Sequence, residues 1–158
     1  MSVVIYTDGS SKGNPGNGGF GVVMISGNHR KEFSAGFILT TNNRMELLSV
    51  IVGLEFLKKE KTKVIVYSDS KYVVDSVEKK WVFGWEKKKF LNKKNPDLWI
   101  RFLKVYRKNL VTFVWIKGHS NIKENEYCDK LAVAAAESIS LKRDIWYEKN
   151  VSNKNELF

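Results

Sequence analysis

KVIVYSD, Lys63 to Asp69, is the stretch that most narrows the fold. Its apolar residues run almost unbroken to a polar end, as in a strand covered on both faces. The chain therefore needs a sheet with helices on each side. Upstream, VVIYT (Val3 to Thr7), FGVVMIS (Phe20 to Ser26) and KEFSAGFIL (Lys31 to Leu39) read as three strands of an antiparallel meander. TTNNRMELLSVIVGLEFLKKE then switches period, and Met45, Leu48 and Val52, with Leu47, Ile51 and Leu54, give a helix with a broad apolar face. SKYVVDSVEKKW reads as a second helix, Pro96 to Asn109 as a third, VTFVWIK as a fifth strand and Lys123 to Ser140 as a last helix. In the order β-β-β-α-β-α-α-β-α the later strands run parallel to the first, and right-handed crossovers place helices on both faces.

A chain of 158 residues suits one domain. Residues 1–140 hold all these elements, and 141–158 form a C-terminal extension whose polar tail SNKNELF is expected to fray. The start MSVVIYTDGS lacks the basic and apolar regions of a signal peptide, no run is long enough to span a membrane, and a cytoplasmic location is expected. Cys128 is the only cysteine, which excludes an internal disulfide and reads as a small buried apolar residue. With 27 Lys+Arg against 17 Asp+Glu the net charge is +10, which favours a polyanionic partner, nucleic acid before membrane.

TDGSSKGNPGNGGFG, between the first two strands, carries six glycines from Gly9 to Gly21. It is not a phosphate cradle of either familiar kind. A Walker loop needs Gly-Lys-Ser/Thr, a dinucleotide fingerprint needs a following helix, and this stretch leads into a strand.

Four acids stand out against the positive background. Asp8 ends the first strand and Asp69 the fourth, at the sheet edge where open α/β folds bind ligands. Glu46 lies early in the helix after the third strand, and Asp129 early in the last helix. Taken singly, each has an ordinary reading. Asp8 before Gly9 suits a turn, Glu46 three residues after Asn43 suits a capping box, Asp69 beside Ser70 suits a helix cap, and Asp129 suits a solvated surface. Their joint placement favours a shared site.

TDGSSKGNPGNGGFG, TTNNRMEL, YSDSKYV and KGHSNIKENEYCDKLA resemble the motifs of type 1 ribonuclease H in order and spacing, from about Val3 to Ala136. The resemblance implies an α/β fold with a five-stranded mixed sheet of order 3-2-1-4-5 and helices on both faces. It also implies hydrolysis of the RNA strand of an RNA–DNA hybrid, leaving 5′-phosphate and 3′-hydroxyl ends. The family's metal-binding acids fall on Asp8, Glu46, Asp69 and Asp129, and its loop histidine, which assists proton transfer or product departure, on His119. Two Mg²⁺ ions, with Mn²⁺ a possible substitute, would activate water and stabilise the leaving oxygen. Hard cations of this kind take carboxylate oxygens rather than thiolate or imidazole. Asp8 is the candidate to bridge both ions.

For the substrate, the resemblance assigns Asn14, Asn42 and Asn43 to the minor groove, where an amide can both donate to and accept from a 2′-hydroxyl. The glycines are expected to let backbone groups approach that groove. KKWVFGWEKKKFLNKK, Lys79 to Lys94, has seven lysines and one glutamate and resembles the family's basic protrusion. There Trp81, Trp85, Lys87 and Lys88 would hold the DNA strand by packing and phosphate neutralisation, although tryptophans at that spacing suit a core equally well. Lys71 is taken as a further substrate contact, in a place where the family often has an amide, which leaves its role open. Asn121 replaces a common glycine, at little cost because Asn tolerates left-handed backbone. The protein is expected to act as a monomer. Two rivals stand beside this reading: another metal nuclease of the same fold, and a non-catalytic nucleic-acid module.

Overall fold

A computed structural model describes residues 2–155. Three long strands come first: β1 (Ser2–Lys12), β2 (Gly16–Ser26) and β3 (His29–Thr40). Helix α1 (Asn42–Glu55) leads to β4 (Lys63–Ser68), followed by α2 (Lys71–Glu78), α3 (Trp81–Lys87) and α4 (Pro96–Tyr106). Then come β5 (Leu110–Trp115), α5 (Lys123–Ala136), β6 (Leu141–Lys142) and α6 (Ile145–Asn155). Among the described residues no helix is long and apolar enough to cross a membrane.

The sheet order is β5-β4-β1-β2-β3-β6. β1, β2 and β3 form the expected antiparallel meander, and β4 and β5 continue it in parallel beside β1. The order 3-2-1-4-5 therefore holds for five strands, but the sheet has six. The sixth is the two-residue β6, too short to show alternation, paired in parallel with Gly36 and Phe37 of β3. It belongs to the C-terminal extension, which then forms α6 instead of a wholly frayed tail. Ser152 to Asn155 continue that helix, and residues 156–158 lie outside the described part.

Side-chain alternation on β2 shows how the layers form. Phe20 and Val22 join the core with Ile5 and the buried face of α1. The intervening Gly21 faces α5, where an added Cβ would lie 2.4 Å from the Cys128 carbonyl oxygen and 2.7 Å from the Leu131 Cβ. Gly19 meets Ala132 and Ala136 in the same way. Gly19 and Gly21 thus seat α5 on the sheet, a packing duty that the reading of the loop as a substrate approach did not include. Cys128, fully buried, donates its thiol to the Tyr6 carbonyl oxygen at 3.3 Å, in keeping with a small core residue.

Two helices differ from their sequence outlines. The helix expected through SKYVVDSVEKKW breaks at Lys80, whose φ of 63° is left-handed, into α2 and α3. α5 stops at Ala136 rather than Ser140, which frees the chain to return to β3.

Candidate active site

β1 runs four residues past Asp8, to Lys12, but its pairing with β4 ends at Tyr6 opposite Tyr67. Continuing that register by two residues sets Asp8 level with Asp69, just where the parallel pair opens. Glu46 joins them because Gly9 lets α1 sit against β1. A Cβ on Gly9 would lie 2.4 Å from the Glu46 backbone nitrogen. Asp8, Glu46 and Asp69 each place a carboxylate oxygen within 4.8 Å of the other two.

The ordinary readings of these acids give way one by one. The N-cap of α1 is Thr41, whose side chain accepts from the Arg44 N–H at 3.2 Å, so Asn43 and Glu46 form no capping box. Ser70 caps α2 by accepting from the Val73 N–H, which leaves the Asp69 carboxylate free for other work. Asp8 accepts from the Gly9 N–H at 2.9 Å, yet it sits inside a paired strand and not in a turn. Asp129 is half-buried on the inward side of α5, where it lines the same cleft outside the three-acid cluster.

Burial of like charges makes the cluster electrostatically costly. Asp8, only 5% exposed, has its pKa pushed up to about 8, first by burial and then by the charge of Asp69. Glu46 is raised well above the ordinary carboxylate range by burial and by both aspartates, and Asp69 is raised by burial above all. Among the described residues the buried Glu46 Oε2 atom has no hydrogen-bond partner. An orphaned oxygen among crowded hard donors fits a divalent cation, which would satisfy the oxygen and cancel the repulsion.

The surrounding cleft, of about 430 Å³, is lined by Asn42, Asn43, Lys71, His119 and Asp129 as well as the three acids. His119 is exposed and left-handed, with φ of 57°. Asn121 is left-handed too, at 65°, as its replacement of glycine led one to expect. Lys71 extends over the Trp115 ring, 4.8 Å from its centroid, and the Trp115 indole N–H donates to the Asp69 carbonyl oxygen. Asn14 lies in an adjoining groove and accepts from the Asn42 backbone N–H at 3.0 Å, so the three asparagines do meet.

Trp81, Trp85, Lys87 and Lys88 stand apart from the cleft. Trp81 is exposed, beneath Lys79. Trp85 is half-buried edge-on to Trp99, 5.9 Å between centroids, and so serves the core at least in part. Sequence reasoning missed Asn125, which lines the cleft while 3% exposed, with a buried Oδ1 that has no partner among the described residues. Its signal was present: it stands four residues before Asp129, hence on the same helical face.

Comparison with known proteins agrees with this geometry. The family model described as RNase H matches residues 1–137. A protein of Rippkaea orientalis named Ribonuclease H is 52% identical over 151 residues, 92% of each chain. Another of that name, from Desulforamulus reducens, is 55% identical over 148 residues, 90% of this chain and 92% of its own. Among solved structures, LC9-RNase H1, a type 1 RNase H with the type 2 active-site motif, superposes with a TM-score of 0.75 at 32% identity, over 85% of this chain and 71% of that one. LC11-RNase H1 in complex with RNA/DNA hybrid superposes at 0.65 and 28% identity, over 85% and 96%. The chain belongs to the ribonuclease H family of metal-dependent endoribonucleases.

Proposed function

We propose that the protein hydrolyses the RNA strand of RNA–DNA hybrids with two divalent metal ions, leaving 5′-phosphate and 3′-hydroxyl ends. The observation that carries this reading is the cluster of buried carboxylates with the orphaned Glu46 oxygen, opening into a cleft edged by Asn42 and Asn43. Asp8, Glu46 and Asp69 would hold one ion, and Asp8 with Asp129 the other. Mg²⁺ suits these oxygens, with Mn²⁺ a possible substitute, and when bound it would activate water and stabilise the leaving 3′-oxygen. Asp8 is central because it lies on β1, an interior strand, between Asp69 on one side and α5 on the other.

The remaining residues bind and orient. Asn14, Asn42 and Asn43 offer amides to 2′-hydroxyls and base edges of the minor groove. His119, exposed on a left-handed loop at the rim, can carry a proton or ease product departure. Among the described residues Lys71 is the one lysine or arginine lining the cleft, and it would meet substrate as a donor only. Trp81, Lys87 and Lys88 would contact the DNA strand, while Trp85 steadies the segment that carries them. We take the protein to act in the cytoplasm as a monomer.

A gel assay tests the reading. End-labelled RNA–DNA hybrid, double-stranded RNA and double-stranded DNA are offered with Mg²⁺, with Mn²⁺ and with EDTA. Cleavage is expected in the RNA strand of the hybrid alone and should be lost in EDTA. The nicked products should be rejoined by a ligase without prior phosphorylation, which requires 5′-phosphate and 3′-hydroxyl ends. Efficient cutting of the all-DNA duplex would sink it.

A further inference from the structure

Arg44 stands two residues before Glu46, and its side chain is 2% exposed. All five guanidinium N–H donors are used. Nε and one terminal nitrogen fork onto Asp144 at 2.7 and 2.9 Å. Both terminal nitrogens fork onto Asp97 at 2.7 and 2.9 Å, and one also reaches Asn95 Oδ1 at 3.3 Å. The rings of Trp146 and Tyr147 lie 5.0 and 5.7 Å from its central carbon. One cation thus ties the first turn of α1 to the head of α4, at the foot of the basic segment, and to the C-terminal extension.

Asp144 does something more specific. Its Oδ2 accepts from the Arg44 Nε and also from the Thr40 hydroxyl at 2.8 Å. Thr40 and Arg44 flank Thr41, Asn42 and Asn43, so one carboxylate from the C-terminal extension brackets both ends of the turn that presents the two asparagines. Buried ion pairs add little net stability over apolar packing, and in some proteins they serve instead to select one arrangement. A planar fork with every donor satisfied is the arrangement that best fixes direction.

We propose that the C-terminal extension positions the asparagine turn for substrate: Asp144, acting through Arg44 and Thr40, is a positioning residue for hybrid binding. This rests on the hybrid-cleaving reading above. Loss of the bracket should loosen the presentation of Asn42 and Asn43 and weaken binding, while the carboxylates keep their metal and their chemistry.

The test uses the full chain. Hybrid binding is measured by fluorescence anisotropy in EDTA, and kcat and KM in Mg²⁺ well below the melting temperature, for the parent, Asp144→Asn, Thr40→Val and a core control, Ile51→Val. The expected result is weaker binding and a higher KM in Asp144→Asn, by about tenfold, with kcat changed by less than about threefold. Thr40→Val, which keeps the Arg44 fork, should show a smaller rise and carries the test should Asp144→Asn fail to fold. Ile51→Val should lower the melting temperature without moving KM. Equal KM in parent and Thr40→Val, a KM that merely follows melting temperature across all variants, or a loss confined to kcat would each overturn the proposal. A parent that binds hybrid with the same affinity as Asp144→Asn refutes the positioning role alone. A parent that neither binds nor cuts hybrid removes the functional reading, and the positioning role with it.

Discussion

Arg44 and Glu46 are near neighbours on one helical turn, both almost wholly buried, and the fold treats their charges in opposite ways. Arg44 is surrounded by two carboxylates and an amide that take every donor it has. Glu46 is surrounded by other acids, carries an oxygen with no partner and is driven toward its protonated form. A charge whose partners all come from the protein has been used up in shaping it. A charge left in want marks the place where something from outside is expected. The lesson extends to Asn125, the other residue among those described with an orphaned buried oxygen, which faces the same cleft.

The largest effect that can break this comparison is on activity. Asp8→Asn keeps the shape but removes the charge from the centre of the acid cluster. Hybrid cleavage in Mg²⁺ should fall by on the order of 10³-fold or more, as when a group acting in the reacting unit is removed. Single-turnover rates at saturating enzyme would measure it. A variant that still cuts within tenfold of the parent would return Asp8 to a structural role.

Next in size is the loss of a satisfied charge. Arg44→Met leaves Asp97 and Asp144 facing each other without their cation, and should cost about 3–5 kcal/mol of stability. Denaturant unfolding of the two proteins gives the difference directly. A change under about 1 kcal/mol would mean that Arg44 is far less central than its five bonds suggest.

The acid cluster should show the reverse sign. Asp8 is raised from 3.8 to about 8 in the fold, so in metal-free protein its ionised form is disfavoured. Stability without metal should therefore fall as pH rises from about 4 to about 8, because the native state holds the proton longer than the unfolded state. At neutral pH, Asp8→Asn should melt higher than the parent in EDTA, by roughly 1–3 kcal/mol in stability. If Mg²⁺ fills the native cluster as proposed, it should raise the parent more than the variant, because a ligand of the native state alone shifts unfolding. Melts of both proteins across pH, with and without metal, would show whether the removed carboxylate had been a burden or a support.

How far the sequence reached is clearest from these same residues. The apolar run at Val64 to Val66 and the period switch at Met45 were enough for five strands, because burial patterns repeat along the chain, while their order followed from the resemblance carried by the motifs. The acids were legible as a set through their motifs, and Asp8 and Asp69 also from strand ends alone. Arg44 was not, since nothing local tells a buried arginine from a solvated one when its partners lie 53 and 100 residues away. The return of the C-terminal extension was hidden for the same reason: Leu141 and Lys142 pair with β3 through backbone groups, which leave no pattern in side chains. The packing duty of Gly19 and Gly21 was hidden for a further reason. A glycine that admits a helix and one that admits a ligand look identical until the neighbour is known.

The smallest expected effect concerns charges that are neither satisfied nor orphaned. Lys87, Lys88 and Lys89 are exposed in the basic segment, and among the described residues they form no ion pair. Their side chains are exposed, so replacing all three by Gln should leave melting temperature nearly unchanged. If they meet phosphates, hybrid binding should weaken by a few-fold at moderate salt, and its salt slope should shrink by about one for each phosphate no longer neutralised. Trp81→Ala and Trp85→Ala separate binding from support within the same segment. Trp81 is 48% exposed, and its loss should weaken binding with little change in melting. Trp85 leans on the fully buried Trp99, and its loss should lower the melting temperature as well. Titrations of hybrid at several salt concentrations, beside melts of the same proteins, would measure both. Were Trp81→Ala to melt low while the lysine variant kept the parent's salt slope, the segment would be part of the scaffold rather than a hand for the DNA strand.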